Sequence, residues 1–222
     1  MIKKTPSNLK VNYKYNIRMP NANDSYLNFT NKLLTKYLDK LYDGNLLLII
    51  SPIFTIENEM FVLPTMDIDT SFNMGLNLIS KFFSKSQNRN NWFCEFTGKN
   101  SFHIYLKYLV RVPNNNLIKT NISALRSLFF KNLKIPLMKY VDTQSSIRNV
   151  PIVRIGHRSD TNKMAIPILR LDRQWIITAS SNKGFQNTFD KNLLADYIRT
   201  HIIPQNYINF NDYEKIVSVT LY

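Results

Sequence analysis

Apolar residues recur at helical spacing over residues 24–43, where Leu27, Leu34, Tyr37, Leu38 and Leu41 share one side, Asp24 stands as a cap and Gly44 as a stop. This stretch predicts a helix. The period then shortens. Asn45 to Ser51 and the run "MFVLPTMDI" read as strands, with Glu57 to Glu59 in the turn between them. From Phe72 the helical period returns at Leu76, Ile79, Phe82 and Phe83 and ends in the polar "SKSQNRNN". "WFCEF" and "FHIYLKYLV" are strand-like and are joined by "TGKNS", which predicts a hairpin.

Leu117 to Phe130 predicts a further helix with Leu117, Ile118, Ile122, Leu125, Leu128 and Phe129 on its apolar side. Short strands are expected around "VDTQSSIR", "PIVRIG", "MAIPIL" and "QWIIT". An amphipathic helix over residues 189–200 and a terminal strand, "KIVSVTLY", follow. There is no internal repeat, and "RVPNNN" at 111–116 reads as a loop rather than a domain break. The expected fold class is mixed α/β (α+β), one domain over residues 1–222 with sheets flanked by helices.

Charge narrows the choice of partner. Lys and Arg outnumber Asp and Glu by 29 to 15, a formal net charge of +14, which favours an anionic partner, nucleic acid ahead of a membrane surface. The one cysteine, Cys94, excludes a disulfide framework and a Cys-rich zinc site and reads as a small buried apolar residue of a reducing, intracellular compartment. The longest aliphatic run, "LLLII", is far too short to span a membrane, and the basic N-terminus lacks the apolar stretch of a secretory signal.

Against that basic background, "PTMDIDTSF" holds two aspartates one residue apart. On a strand, Asp67 and Asp69 point the same way, about 7 Å apart, and a hard divalent cation removes their repulsion. Taken singly, such a pair is more often a solvated strand edge. "TGKNSFHIYL" repeats the period-two logic: Ser101 and His103 share a face suited to binding phosphate oxygens, beside Gly98, Lys99 and Asn100. In "MKYVDTQ", Asp142 ends an apolar run and is a candidate third carboxylate. Arg148, Arg154, His157, Arg158 and Lys163 follow within sixteen residues, a segment fit to hold a triphosphate, template phosphates or both. Each motif alone has an ordinary explanation as a solvent-facing hairpin or a basic loop. Together they are the parts of metal-assisted nucleotidyl transfer.

In these residues the chain resembles the archaeo-eukaryotic primase (primase-polymerase) superfamily. Asp67-Ile68-Asp69, Ser101-Phe102-His103 and Val141-Asp142 look like its three motifs in order, over about residues 60–170. "KNSFHI" and "VRIGHR" are similar in wording to viral branches, such as the primase regions of large double-stranded DNA viruses, and in its compact length the chain resembles the late-expression-factor primases of baculoviruses and nudiviruses. The resemblance implies a primase-type catalytic core over about residues 45–180, with an RRM-like sheet packed against a second small α/β unit. It implies Asp67, Asp69 and Asp142 as catalytic ligands of two Mg²⁺ or Mn²⁺ ions, and Ser101, His103, Arg154 and Lys163 as nucleotide contacts. Lys99, Arg148 and Arg158 are the candidate nucleic-acid contacts. The implied activity is synthesis of short primers on single-stranded DNA from nucleoside triphosphates, with a large or accessory subunit or a replicative helicase as partner. Location would be the host nucleus for a viral protein and the cytoplasm otherwise. One Cys and three His cannot build the zinc-binding knob of many cellular members, so no structural zinc is expected. Aromatics such as Tyr105, Phe72 or Trp92 could stack on bases, although core packing is the commoner use. A metal-dependent nuclease and a non-catalytic nucleic-acid-binding subunit remain as alternatives.

Overall fold

The computed structural model of the chain describes residues 1–16, 18–113 and 152–219. Their order at the start is β1 (Lys3–Lys4), β2 (Lys10–Tyr15), β3 (Ala22–Ser25), α1 (Tyr26–Lys32), one π-helical turn (Leu33–Tyr37) and α2 (Leu38–Tyr42). Then come β4 (Leu47–Ile56), β5 (Glu59–Val62), β6 (Thr65–Ile68), α3 (Phe72–Phe83), α4 (Ser86–Asn91), β7 (Trp92–Phe96), β8 (Phe102–Leu106) and β9 (Leu109–Arg111). Beyond the undescribed stretch lie β10 (Ile152–Arg158), β11 (Lys163–Pro167), α5 (Arg173–Ala179), α6 (Asn182–Thr188) and α7 (Lys191–Tyr197). A second π turn (Ile198–Ile202), β12 (Asn206–Asn209) and α8 (Phe210–Ser218) complete the order. The architecture is mixed α/β, with one large mixed sheet ordered β1-β12-β9-β5-β4-β10-β11-β7-β8-β6 and β2 bridging β3 and β4.

Strand β4 explains the "LLLII" run. Leu48, Ile50 and Phe54 enter the main core on one face, while Leu47 and Ile49 pack with Ala165 and Val153 on the other. A strand covered on both sides reads as continuous apolar sequence. Its N-terminal half pairs with β10 and its C-terminal half with β5; Pro52, with no N–H to offer, stands between the two registers. The expected single strand "MFVLPTMDI" is divided at Leu63-Pro64, so that β5 joins β4 and β9 while β6 joins β8.

The segment from β6 to β8 positions the candidate site. Strands β6 and β7 both pair antiparallel with β8, which lies between them, and α3 connects β6 to β7: a split βαβ unit closed by a hairpin. Cross-strand rows Met66–Ile104–Cys94 and Ile68–Phe102–Phe96 are buried in the main core. Helix α3 approaches closely because Gly75 faces the Phe102 ring, where a Cβ would lie 2.7 Å away. The alternate residues Asp67, His103, Tyr105 and Glu95 therefore share the opposite face.

Several local expectations are corrected. The first helix is capped by Ser25, whose hydroxyl accepts from the Asn28 N–H; Asp24 instead accepts from Tyr13 and Lys32. The polar "SKSQNRNN" contains α4, held by Asn88 Nδ2 donating to the Phe82 carbonyl. "QWIIT" is helical in α5, because Asp172 caps the Trp175 N–H and Ile176 and Ala179 fall on one buried side. The segment expected as a last strand lies partly in α8, whose Phe210, Tyr213 and Val217 are buried at helical spacing. The last strand among the described residues is β12, parallel to β9. Cys94 is buried, as expected. Among the described residues no helix is long and apolar enough to cross a membrane. The expected helix at 117–130 and the "VDTQSSIR" strand lie outside the described residues.

Candidate functional site

The strand register sets Asp67, His103 and Glu95 in one row across β6, β8 and β7. His103 Nε2 lies 3.4 Å from Asp67 Oδ1, with the imidazole 7% and the carboxylate 16% exposed. Two residues along β8, on the same face, the Tyr105 hydroxyl lies 2.8 Å from His103 Nδ1 and 3.5 Å from the Val153 carbonyl. Burial and the nearby Glu95 charge push the Tyr105 phenol well above its ordinary range, so it stays protonated.

Behind this row stands a buried ion pair. A register shift between Val153 and Ile155 makes Arg154 the extra residue of a bulge in β10, and a bulge re-aims a side chain. Arg154 Nε donates to Glu95 Oε2 at 3.0 Å and its NH2 group to Glu95 Oε1 at 3.1 Å. Its remaining donors reach the carbonyls of Ile202 (2.7 Å) and His201 (3.0 Å), and the Tyr197 hydroxyl donates to Glu95. Burial works against the guanidinium charge, but Glu95 more than restores it, and the pKa of Arg154 rises. The guanidinium also sits 4.1 Å from the centre of the Tyr105 ring.

Asp69, exposed, lies just past β6, and Ser101 just before β8; the last registered pair between those strands is Ile68 with Phe102. The turn at Ser101 is closed by Thr97, whose hydroxyl lies 2.9 Å from that of Ser101 and donates to its carbonyl. The turn joining β10 to β11 docks on it through the Thr161 hydroxyl, which donates to the Gly98 carbonyl at 2.6 Å, and through Arg158, which reaches the Thr97 carbonyl at 3.4 Å. Gly98 adopts φ +77°, and a Cβ there would press on the backbone of Met164 and Ala165 at 3.1 Å. Arg158 forks onto Asp160 at 2.9 and 2.7 Å, and that pairing, with a smaller contribution from Lys99, holds the Asp160 carboxyl below its usual range. Lys163 is the cross-strand partner of Arg158.

Asp67 and His103 are thus in contact, Asp69 and Ser101 occupy adjoining strand ends, and docked turns bring Lys99, Arg158 and Lys163 to the same end of the sheet. Arg154 is a correction: expected against a nucleotide, it is turned inward with its donors engaged by Glu95 and two carbonyls. For the aromatics the core reading holds: Tyr105 and Trp92 are buried, and the half-buried Phe72 packs on Phe96 and Phe102. His157 bonds Asn162 instead of joining the row. Asp142 and Arg148 lie outside the described residues. Glu95 and Tyr197 were missed; an isolated glutamate in the apolar "WFCEF" and an arginine in "PIVRIG" were the signals available, since buried charges occur in pairs.

Asp67 and Asp69 offer hard carboxylate oxygens of the kind Mg²⁺ and Mn²⁺ take, so the donor chemistry fits the expected ions. Among the described residues no group of three or more His, Cys, Asp and Glu side chains is arranged to hold a metal. No protein-family model matches this chain, and a comparison with characterised proteins finds no significant match.

Proposed function

We propose that the chain is a DNA primase of the primase-polymerase kind, joining nucleotides on a single-stranded DNA template. The observation that carries this reading is the cross-strand contact of Asp67 with His103 at the centre of the split βαβ unit. Asp69 and Ser101 stand at the adjoining strand ends. The antiparallel order β6-β8-β7 supports an RRM-like sheet, and the pairing of β11 with both β7 and β10 gives that sheet a neighbouring unit.

Asp67 and Asp69 would hold the divalent cation, with Asp142 as the expected third ligand; when bound, the ion supplies neutralising charge at the reacting phosphates. His103 donates a hydrogen bond to a phosphate oxygen from Nε2, and the Ser101 hydroxyl donates another. Lys99, Lys163 and Arg158 supply positive charge beside them and orient the triphosphate or the template backbone. The buried Glu95–Arg154 pair keeps β10 and β7 in register behind the row and contacts no substrate. The cation group at the β8 end favours this reading over a nuclease, which needs no triphosphate site. An accessory subunit or replicative helicase is the partner class that goes with it.

The test is incubation of the purified chain with single-stranded DNA, labelled nucleoside triphosphates and Mg²⁺ or Mn²⁺. New short labelled strands support the primase. A shortened template shows a nuclease instead, and binding with neither product shows a passive nucleic-acid-binding subunit.

A further inference from the structure

We infer that Tyr105 is a positioning residue that fixes His103 in the form protonated on Nε2, so that the ring presents a hydrogen-bond donor toward Asp67 and the groove. The consequence for substrate, an aimed contact to a phosphate oxygen, rests on the proposed nucleotidyl transfer; the state of the ring does not.

The argument starts at the two ring nitrogens. Nε2 faces Asp67 Oδ1 at 3.4 Å, and a carboxylate only accepts. A bare Nε2 would set lone pair against lone pair, whereas an Nε2–H meets an acceptor. In the neutral ring Nδ1 is then the acceptor, and the group beside it is the Tyr105 hydroxyl at 2.8 Å. That hydroxyl has one proton; besides Nδ1 at 2.8 Å it has the Val153 carbonyl at 3.5 Å and the Glu95 carboxylate nearby, but Glu95 already accepts from Arg154 and Tyr197, so the proton goes to the ring.

The tyrosine is itself held. Its ring stacks on Phe93, with centroids 5.0 Å apart and planes 20° apart, and carries the Arg154 guanidinium at 4.1 Å. Arg154 is fixed in turn by Glu95 and by the carbonyls of Ile202 and His201. Order therefore passes from a buried ion pair, through an aromatic ring, to the tautomer of one histidine. A hydrogen bond made by one ring nitrogen sets which of the two carries the proton.

Long-range ¹H–¹⁵N correlation spectra of the imidazoles read this directly, and with three histidines in the chain the signals are assignable by single substitutions. The wild-type protein is expected to show His103 with an N–H at Nε2 and a hydrogen-bonded, unprotonated Nδ1. Tyr105→Phe keeps the ring, its stacking and the guanidinium contact and deletes only the hydroxyl. In it the Nδ1 signal moves to the position of an unbonded nitrogen, or an Nδ1–H form grows in. In primer synthesis the same variant raises KM for the nucleotide about three- to tenfold, the worth of one ordinary hydrogen bond, with kcat changed less than about twofold.

A wild-type spectrum dominated by the Nδ1–H form overturns the inference without recourse to any variant. So does a Tyr105→Phe ring indistinguishable from wild type. A shifted spectrum with unchanged KM overturns the donor role toward substrate. A wild-type chain that shows the expected ring state but makes no primers upholds the positioning role and counts against the proposed function.

Discussion

Arg154 Nε lies 3.0 Å from Glu95 Oε2, with both side chains only 1% exposed, and this pair ties the bulged strand β10 to β7 across the intervening β11. Removing one partner leaves a buried, uncompensated charge, which costs about 3–5 kcal/mol. Glu95→Leu and Arg154→Met are each expected to lower stability by that order in denaturant titrations. The double variant should lose less than the sum of the two, because neither charge is then stranded. Additive losses would show that the pair is not coupled.

Gly156 adopts φ +118°, and a Cβ there would fall 2.1 Å from the Leu46 carbonyl oxygen. Backbone must move to admit a methyl group. Gly156→Ala should destabilise by about 2–4 kcal/mol, readable as a lowered thermal midpoint.

Asp24 accepts from Lys32 at 2.7 Å and from Tyr13 at 2.5 Å. Partial burial raises its pKa, but the hydrogen bonds from Lys32 and Tyr13 outweigh this and the net shift is downward. A carboxyl whose pKa is lowered in the folded state stabilises above its unfolded value, near about 4, and that contribution disappears as pH falls through the folded value. Asp24→Asn should therefore be less stable than wild type at pH 7 by about 1–2 kcal/mol. The gap should close in acid, as followed by unfolding at a series of pH values.

Lys99 and Lys163 stand on the docked turns with Arg158. Replacing either lysine by alanine should weaken binding of single-stranded DNA or nucleotide without unfolding the protein. If the lost contact is to template phosphate, the salt dependence of log affinity should flatten by about 0.7 per lysine. Unchanged affinity and slope for both would remove the cation group from the site.

The sequence showed the central part of this arrangement because that part is local. Period two alone puts Asp67 and His103 on matching faces of two strands, and the register then brings them together; Asp69 and Ser101, expected on the same strand faces, fall just outside β6 and β8. Helix α3 was legible from its apolar spacing. The fate of Arg154 was not, because its partner is 59 residues away and a single-residue bulge decides which way it points. "QWIIT" and the end of the chain misled for a different reason. Their β-branched residues favour strands in isolation, but an Asp172 cap and burial of one side at helical spacing outweigh that preference.

The most direct measurement is the initial rate of template-dependent strand synthesis by wild type beside Asp67→Asn, with Mg²⁺ or Mn²⁺ and with both proteins shown to be folded. A nucleotidyl-transfer centre at Asp67 predicts labelled product from wild type and a loss on the order of a thousandfold in the variant. Comparable synthesis by the two proteins would contradict it.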